Sequence, residues 1–343
     1  STIAMQQIIS TAYFLGTKRP RTKGKGETMQ YGLLSGILWA VDTVILGVAL
    51  GMSPYVDSAQ ASFASAFMHD FFAAAVLLVM MAQKGRLKDT LEAAKTKSGR
   101  VVMLGALLGG PIGMSGYLAA INTIGPGYTA AISAFYPAVG SLLAWLLLKE
   151  KMNLKQIIAL IVALVGVMVI GLSTAAGEGN GNVLVGILGV AACVFGWGSE
   201  AVILAWGMQD DAVDNETALQ IRETTSAFAY GLLILPLAGS VDFAAQVALT
   251  PANGVVFIAA LAGTASYLFY YKAIDAIGAS RGMALNISYS AWSVIFAALA
   301  GIILPTIMPE AIPSPLVVIC CIVIIVGTVL SATPDWSELL KRD

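Results

Sequence analysis

Ten runs of apolar residues, separated by short polar or charged segments, make up most of the chain. They cover residues 31–51, 57–82, 101–121, 128–148, 155–173, 183–206, 217–237, 251–273, 279–304 and 315–331. Most are 19–26 residues long. At a rise of about 1.5 Å per residue, a helix of that length crosses a hydrocarbon core of about 30 Å. The pattern therefore predicts an all-α polytopic membrane protein with ten transmembrane helices.

Composition agrees. Of 343 residues, 58% are hydrophobic and 11% charged, whereas a soluble domain carries about 25% charged residues. Cys193, Cys320 and Cys321 all lie in apolar runs, where they read as small packing residues. No metal-ligand spacing and no nucleophile–base set stands out, so neither an enzyme, a cofactor nor a nucleic-acid partner is expected. The bilayer is the expected environment. Residues 1–30 read as a basic tail, with Met29 a candidate start directly before the first run. Its apolar piece, residues 8–15, is too short to span.

The 19 Lys and Arg residues set the expected orientation. Five are in the N-terminal tail and six lie between the second and third runs. Lys149, Lys151 and Lys155 follow the fourth run, Lys272 and Arg281 flank the turn after the eighth, and Lys341 and Arg342 end the chain. Arg222 alone falls well inside a run, away from its ends. The positive-inside rule then puts both termini, including the tail 332–343, in the cytoplasm of a plasma-membrane protein. The loop 207–216 should share that face, yet it is acidic.

An internal repeat accompanies this pattern. A shift of 153 takes Tyr117, Gly125, Ala131 and Tyr136 to Tyr270, Gly278, Ala284 and Tyr289, and His69-Asp70 to Arg222-Glu223. A shift of 158 takes Trp39-x-x-Asp42 to Trp197-x-x-Glu200. Five runs per half is an odd number, so the halves, residues 31–174 and 183–331, are expected to be inverted in the membrane. That is the organisation of secondary transporters, with substrate near the midplane.

The polar residues inside the runs carry the candidate chemistry. A carboxylate at mid-helix costs about 2.5–3.5 kcal/mol by insertion scales, so Glu200 is a functional candidate by default. Trp39, Tyr136, Trp197, Tyr289 and Trp292 fall at a similar depth, away from the run ends where interfacial aromatics collect. Aromatic faces with one carboxylate suit a quaternary ammonium ion, which has no N–H to donate; each ring contributes about 0.5–2 kcal/mol. Asp42 and Asn286 are possible further contacts. His69, Asp70 and Arg222 form a second polar set, open to two readings: a structural ion pair between the halves, or a proton relay or gate in which Glu200 takes part. Gly110-Pro111-Ile-Gly113 and Tyr136-Pro137 should break their helices.

Ten spans in two repeats resemble the drug/metabolite transporter superfamily with paired EamA domains. The segments His69-Asp70-Phe71, Gly110–Met114, Ser133–Ala138, Gly196–Glu200, Ile221-Arg222 and Asn286–Trp292 are similar to those of Lic-type choline permeases. The resemblance implies choline import with proton coupling, and an aromatic pocket that takes in Trp39, Tyr136, Trp197, Tyr289, Trp292 and also Tyr270. Asp42 has no counterpart in it. Two other functions fit the same fold: export of amino acids, metabolites or cationic drugs, and choline sensing without transport.

Overall fold

Helices begin where the sequence supplies caps. The side chains of Asn182, Asp214, Thr250 and Ser314 accept hydrogen bonds from backbone N–H groups one turn on, and Pro251 and Pro315 occupy the first helical position after two of them. The computed structural model describes residues 25–174, 182–210, 212–306 and 312–337, and these are all helix, turn or irregular chain. The expected basic tail lies outside the described residues up to position 24, and the C-terminal tail from 338 on.

The elements are α1 (Lys25–Leu50), α2 (Ala61–Gln83), the short amphipathic α3 (Leu87–Lys95), α4 (Lys97–Leu107) and α5 (Ser115–Ile124). They continue with α6 (Pro126–Ser133), α7 (Tyr136–Leu147) and α8 (Leu154–Thr174). The second half holds α9 (Val183–Gly207), α10 (Asn215–Ala229), α11 (Leu235–Leu237), α12 (Val241–Val247), α13 (Pro251–Ile277), α14 (Ala279–Asn286), α15 (Tyr289–Ile303) and α16 (Pro315–Ala332). A π-helical stretch, Leu108–Met114, joins α4 to α5, with Pro111 inside it, where Gly110–Gly113 was expected to break the helix. A second, Tyr230–Ile234, joins α10 to α11.

Among the described residues, nine helices are long and apolar enough to cross a membrane. The expected seventh run, 217–237, is not one of them. It is continuously helical from Asn215 to Leu237, but Gln220, Arg222 and Glu223 lower its hydropathy. Those three side chains are buried, so the polar face of α10 turns into the bundle.

Both halves carry the same backbone break. Gly125 (φ 88°, ψ 158°) ends α5 and Gly278 (φ 91°, ψ 162°) ends α13. Eight residues of helix follow each, then a short break, and helix resumes at Tyr136 and at Tyr289. The offset is the 153 residues of the sequence repeat. This backbone region is open essentially to glycine alone. In the second half the break is capped: the Glu150 carboxylate accepts from the N–H groups of Ala279 (2.8 Å) and Ser280 (2.9 Å) at the start of α14.

Helix α13 packs along α1, α9 along α5 and α7, and α8 along α16. Small residues allow the close approach. A Cβ at Gly327 would touch Ala159 and Ala163 of α8, and one at Gly189 would meet the backbone of Gly116. Cys193, Cys320 and Cys321 are buried free thiols within these contacts.

The acidic loop before α10 finds its partner in the basic segment after α2. Arg86 donates to Asp214 (2.5 Å), Glu216 (2.9 Å) and Asp89 (2.7 Å), and Lys84 to Glu216 (2.5 Å). The two loops share one face of the bundle. Burial pushes the Asp214 carboxyl up, but the Thr217 N–H and the Arg86 guanidinium outweigh it and hold the group below the usual carboxylate range. A carboxylate depressed in the folded state stabilises at pH values above its unfolded pKa and loses that contribution as pH falls through the folded one. The stability difference between wild type and Asp214→Asn in thermal melts should therefore hold at pH 7 and shrink only below about pH 4. At Gly278, alanine would combine positive φ with a clash against the Glu150 carboxylate. Gly278→Ala should cost about 1–3 kcal/mol, read as a lowered melting temperature.

Candidate functional site: an aromatic cavity beside a buried charge cluster

A cavity lies where α1, α7, α9, α13, α14 and α15 converge. Trp39, Tyr136, Trp197, Tyr267, Tyr270 and Tyr289 supply its rings, Glu200 a carboxylate, and Asn286 and Ser266 polar groups, with Met114, Ala201 and Leu204 completing the wall. It offers about 50 Å³ to the centres of water-sized molecules, several times the ~10–15 Å³ that one water needs.

The rings are held edge to face and by their polar ends. Trp39 meets Tyr267 at 5.0 Å and 85°, and Tyr289 at 6.5 Å and 72°. Trp197 meets Tyr136 at 5.8 Å and 88°. Edge-to-face contacts set the positive edge of one ring against the negative face of the next. Tyr136 donates its hydroxyl to Asn286 (3.0 Å), and Asn286 donates to the Ser35 hydroxyl (3.1 Å). The Trp197 indole N–H donates to the Gly109 carbonyl (3.1 Å), a group in the π-helical stretch. That stretch also brings Gly109 against Glu200 so closely that a Cβ would overlap the carboxylate.

Glu200 leads from the cavity into a line of buried charge. Arg222 on α10 donates through Nε to Glu200 Oε1 (2.9 Å), through Nη1 to Glu223 Oε1 (3.0 Å), and through Nη2 to the Tyr267 hydroxyl (3.1 Å). Its guanidinium carbon lies 4.7 Å from the Tyr267 ring centroid. Nη1 is also 3.8 Å from Asp70, which accepts from the Ser226 hydroxyl (2.5 Å). Asp70 faces His69 Nδ1 at 3.4 Å, and His69 Nε2 faces Asp42 at 3.1 Å. Both ring nitrogens thus meet carboxylates, and only the doubly protonated ring donates to both. Four carboxylates share one guanidinium and one imidazole, all within the bundle.

The pairing of His69-Asp70 with Arg222-Glu223 across the halves is therefore direct. Two residues expected at the aromatic site lie outside its lining. Asp42, one turn from Trp39, is taken up by His69, beside Gly263 of α13, where a Cβ would touch both. Trp292 stacks on Phe296 at 6.3 Å, one turn further along α15. Two rings were not anticipated. Tyr267 lies three residues from Tyr270 and so on its face of α13. Tyr117, the repeat mate of Tyr270, packs on Trp197 at 5.3 Å.

Residues 28–172 match the EamA-like transporter family. This half of the chain is similar to an EamA-like transporter domain. Protein LicB of Haemophilus influenzae is 26% identical over 265 residues, covering 77% of this chain and 86% of that protein. A protein solved by crystallography shares the fold with a TM-score of 0.65 at 18% identity, over 90% of this chain and 97% of its own. The EamA-like domain supplies Trp39, Tyr136, His69, Asp70 and the Gly109 carbonyl. Helices α9–α15, beyond it, supply Trp197, Glu200, Arg222, Tyr267, Tyr270, Asn286 and Tyr289. The cavity and the charge cluster are built from both.

Gly109→Ala tests the contact between the EamA-like domain and Glu200. The added methyl must displace the carboxylate and with it the Arg222 pair. The variant should lose about 1–3 kcal/mol as an overpacked site, read by thermal melting. An unchanged melting temperature would show that Glu200 is not held there.

Proposed function

We propose that the protein is a secondary transporter that imports choline, or a related quaternary ammonium compound, across the plasma membrane by alternating access. The observation that carries the reading is the cavity itself: six rings and one carboxylate line it. A quaternary ammonium offers no N–H, so ring faces and a counter-charge are the means available to hold it. In this reading Trp39, Tyr136, Trp197, Tyr267, Tyr270 and Tyr289 embrace the cation head. Glu200 balances its charge, and Asn286 or Ser266 meets a hydroxyl at the other end.

Import of such a cation runs with the membrane potential, which supplies about 2.3 kcal/mol per 100 mV, or roughly fifty-fold accumulation. The line Asp42–His69–Asp70, joined through Arg222 to Glu200, supports a proton-coupled symport beyond that, with His69 and Glu200 as the groups whose protonation changes. Two inverted five-helix halves, related by the recurring glycine break, would exchange roles as the access switches. The helix Asn215–Leu237 then crosses as the tenth span. Its charged residues are buried against protein, not lipid, so an average over the segment overstates the cost of insertion. Ten spans keep both termini, the basic loops and the Arg86 clasp in the cytoplasm.

Radiolabelled choline counterflow in proteoliposomes tests the function. Wild type should exchange choline, and Trp197→Ala and Glu200→Gln should each reduce exchange at least tenfold, through loss of a ring face or of the counter-charge. A sensor would show no counterflow. Normal exchange by both variants would put the site elsewhere.

A further inference from the structure

Arg222 presents a problem that a static ion pair does not solve. If Glu200 is the counter-charge of a cationic substrate, that charge is already taken: Nε of Arg222 lies 2.9 Å from it. The same guanidinium rests on Tyr267 at 4.7 Å, a ring that also walls the cavity. Arg222 thus engages two of the groups on which a quaternary ammonium would depend, without itself lining the cavity.

The surroundings offer the guanidinium another seat. Glu223 is completely buried. Its Oε1 already accepts from Nη1, while its buried Oε2 has no hydrogen-bond partner among the described residues. Asp70 stands 3.8 Å from Nη1, close enough to be reached by a small rotation. A planar fork with five N–H groups can transfer from one carboxylate to another without losing all its bonds at once.

We propose that Arg222 is a tethered competitor for the substrate: it holds Glu200 until a quaternary ammonium arrives, then moves onto Glu223 and Asp70. The inference rests on the reading of the cavity as a cation site and deepens it. The physical reason is the cost of a bare carboxylate in the interior. The tether cancels that cost whenever no cation is bound. It also sets specificity. A permanent cation can displace the guanidinium from Glu200, but a neutral molecule of the same shape gains nothing from that carboxylate. Glu223 is then a positioning residue, acting through Arg222 and never touching the substrate.

Binding to purified full-length protein at one pH tests this, with tetramethylammonium and choline as cationic probes and 3,3-dimethylbutanol as the neutral isostere of choline. Arg222→Gln should bind tetramethylammonium about tenfold more tightly, since one charge-assisted hydrogen bond no longer has to be broken. Glu223→Gln should bind it about tenfold more weakly, because the guanidinium loses its second seat. The alcohol's affinity should not follow either change. Opposite signs for two halves of one ion pair are what a structural role cannot produce. Parallel losses in both variants, or unchanged affinities, overturn the inference. If Arg222→Gln does not fold, Arg222→Lys carries the test: a lysine keeps the charge but lacks the fork, and it must bind more tightly than wild type. Equal or weaker binding overturns the proposal. Wild type that binds neither cation would instead overturn the reading of the cavity, and this inference with it.

Discussion

The interior depends on one guanidinium. Among the described residues, Arg222 is the single hydrogen-bond donor group that reaches Glu200 and Glu223, and it stands beside Asp70. Removing one member of a buried charge set leaves the others uncompensated, at about 3–5 kcal/mol. The cluster therefore ties together α2, α9, α10 and, through Tyr267, α13. It explains why α10 is too polar to resemble a spanning helix on average and yet is buried along that polar face. Lipid would not tolerate that face; a protein interior with matching charges does.

Glycines decide how near the partners come. Gly109 and Gly110 let the π-helical stretch press against Glu200 and Ser226, and Gly263 lets α13 pass the Asp42–His69 pair. The π-helix has a further use. It turns the Gly109 carbonyl toward the Trp197 indole, which fixes one wall of the aromatic cavity next to the carboxylate that the same glycine accommodates. A local departure from α-helix thus positions both the ring and the charge, as such departures often do at functional sites.

Much of this was legible in the sequence, because lipid imposes simple rules. Helix length, the inward place of buried charge and the need for small residues at close contacts all leave marks on the chain. The repeat offset of 153 was also readable, and it reappears in the paired breaks at Gly125 and Gly278. Side-chain partners were less so. Depth along a helix follows from counting residues, but azimuth depends on how neighbours pack. Trp292 has the same depth as the expected site and faces Phe296. Tyr267 sits three residues from a tyrosine that the family resemblance picks out, and it touches the cavity and Arg222 alike. The polarity of 217–237 follows the same logic: hydropathy averages over faces that the fold keeps apart.

The two Trp-x-x-acid pairs show how a repeat can lose its symmetry with little change in sequence. Both tryptophans remain at the cavity, yet their acids separate. Glu200 has one more methylene than Asp42, and Gly109 leaves it room to line the cavity while reaching Arg222. Asp42, shorter, meets His69, which repeat symmetry places where the second half has Arg222. One half thus pairs its acid with a guanidinium, the other with an imidazole. In the proposed cycle this divides the labour. The permanent cation competes with substrate at one acid, while the titratable one answers to protons at the other. Asp70, which faces His69 and lies 3.8 Å from Arg222, stands between the two cations among the described residues and would carry either event to the other.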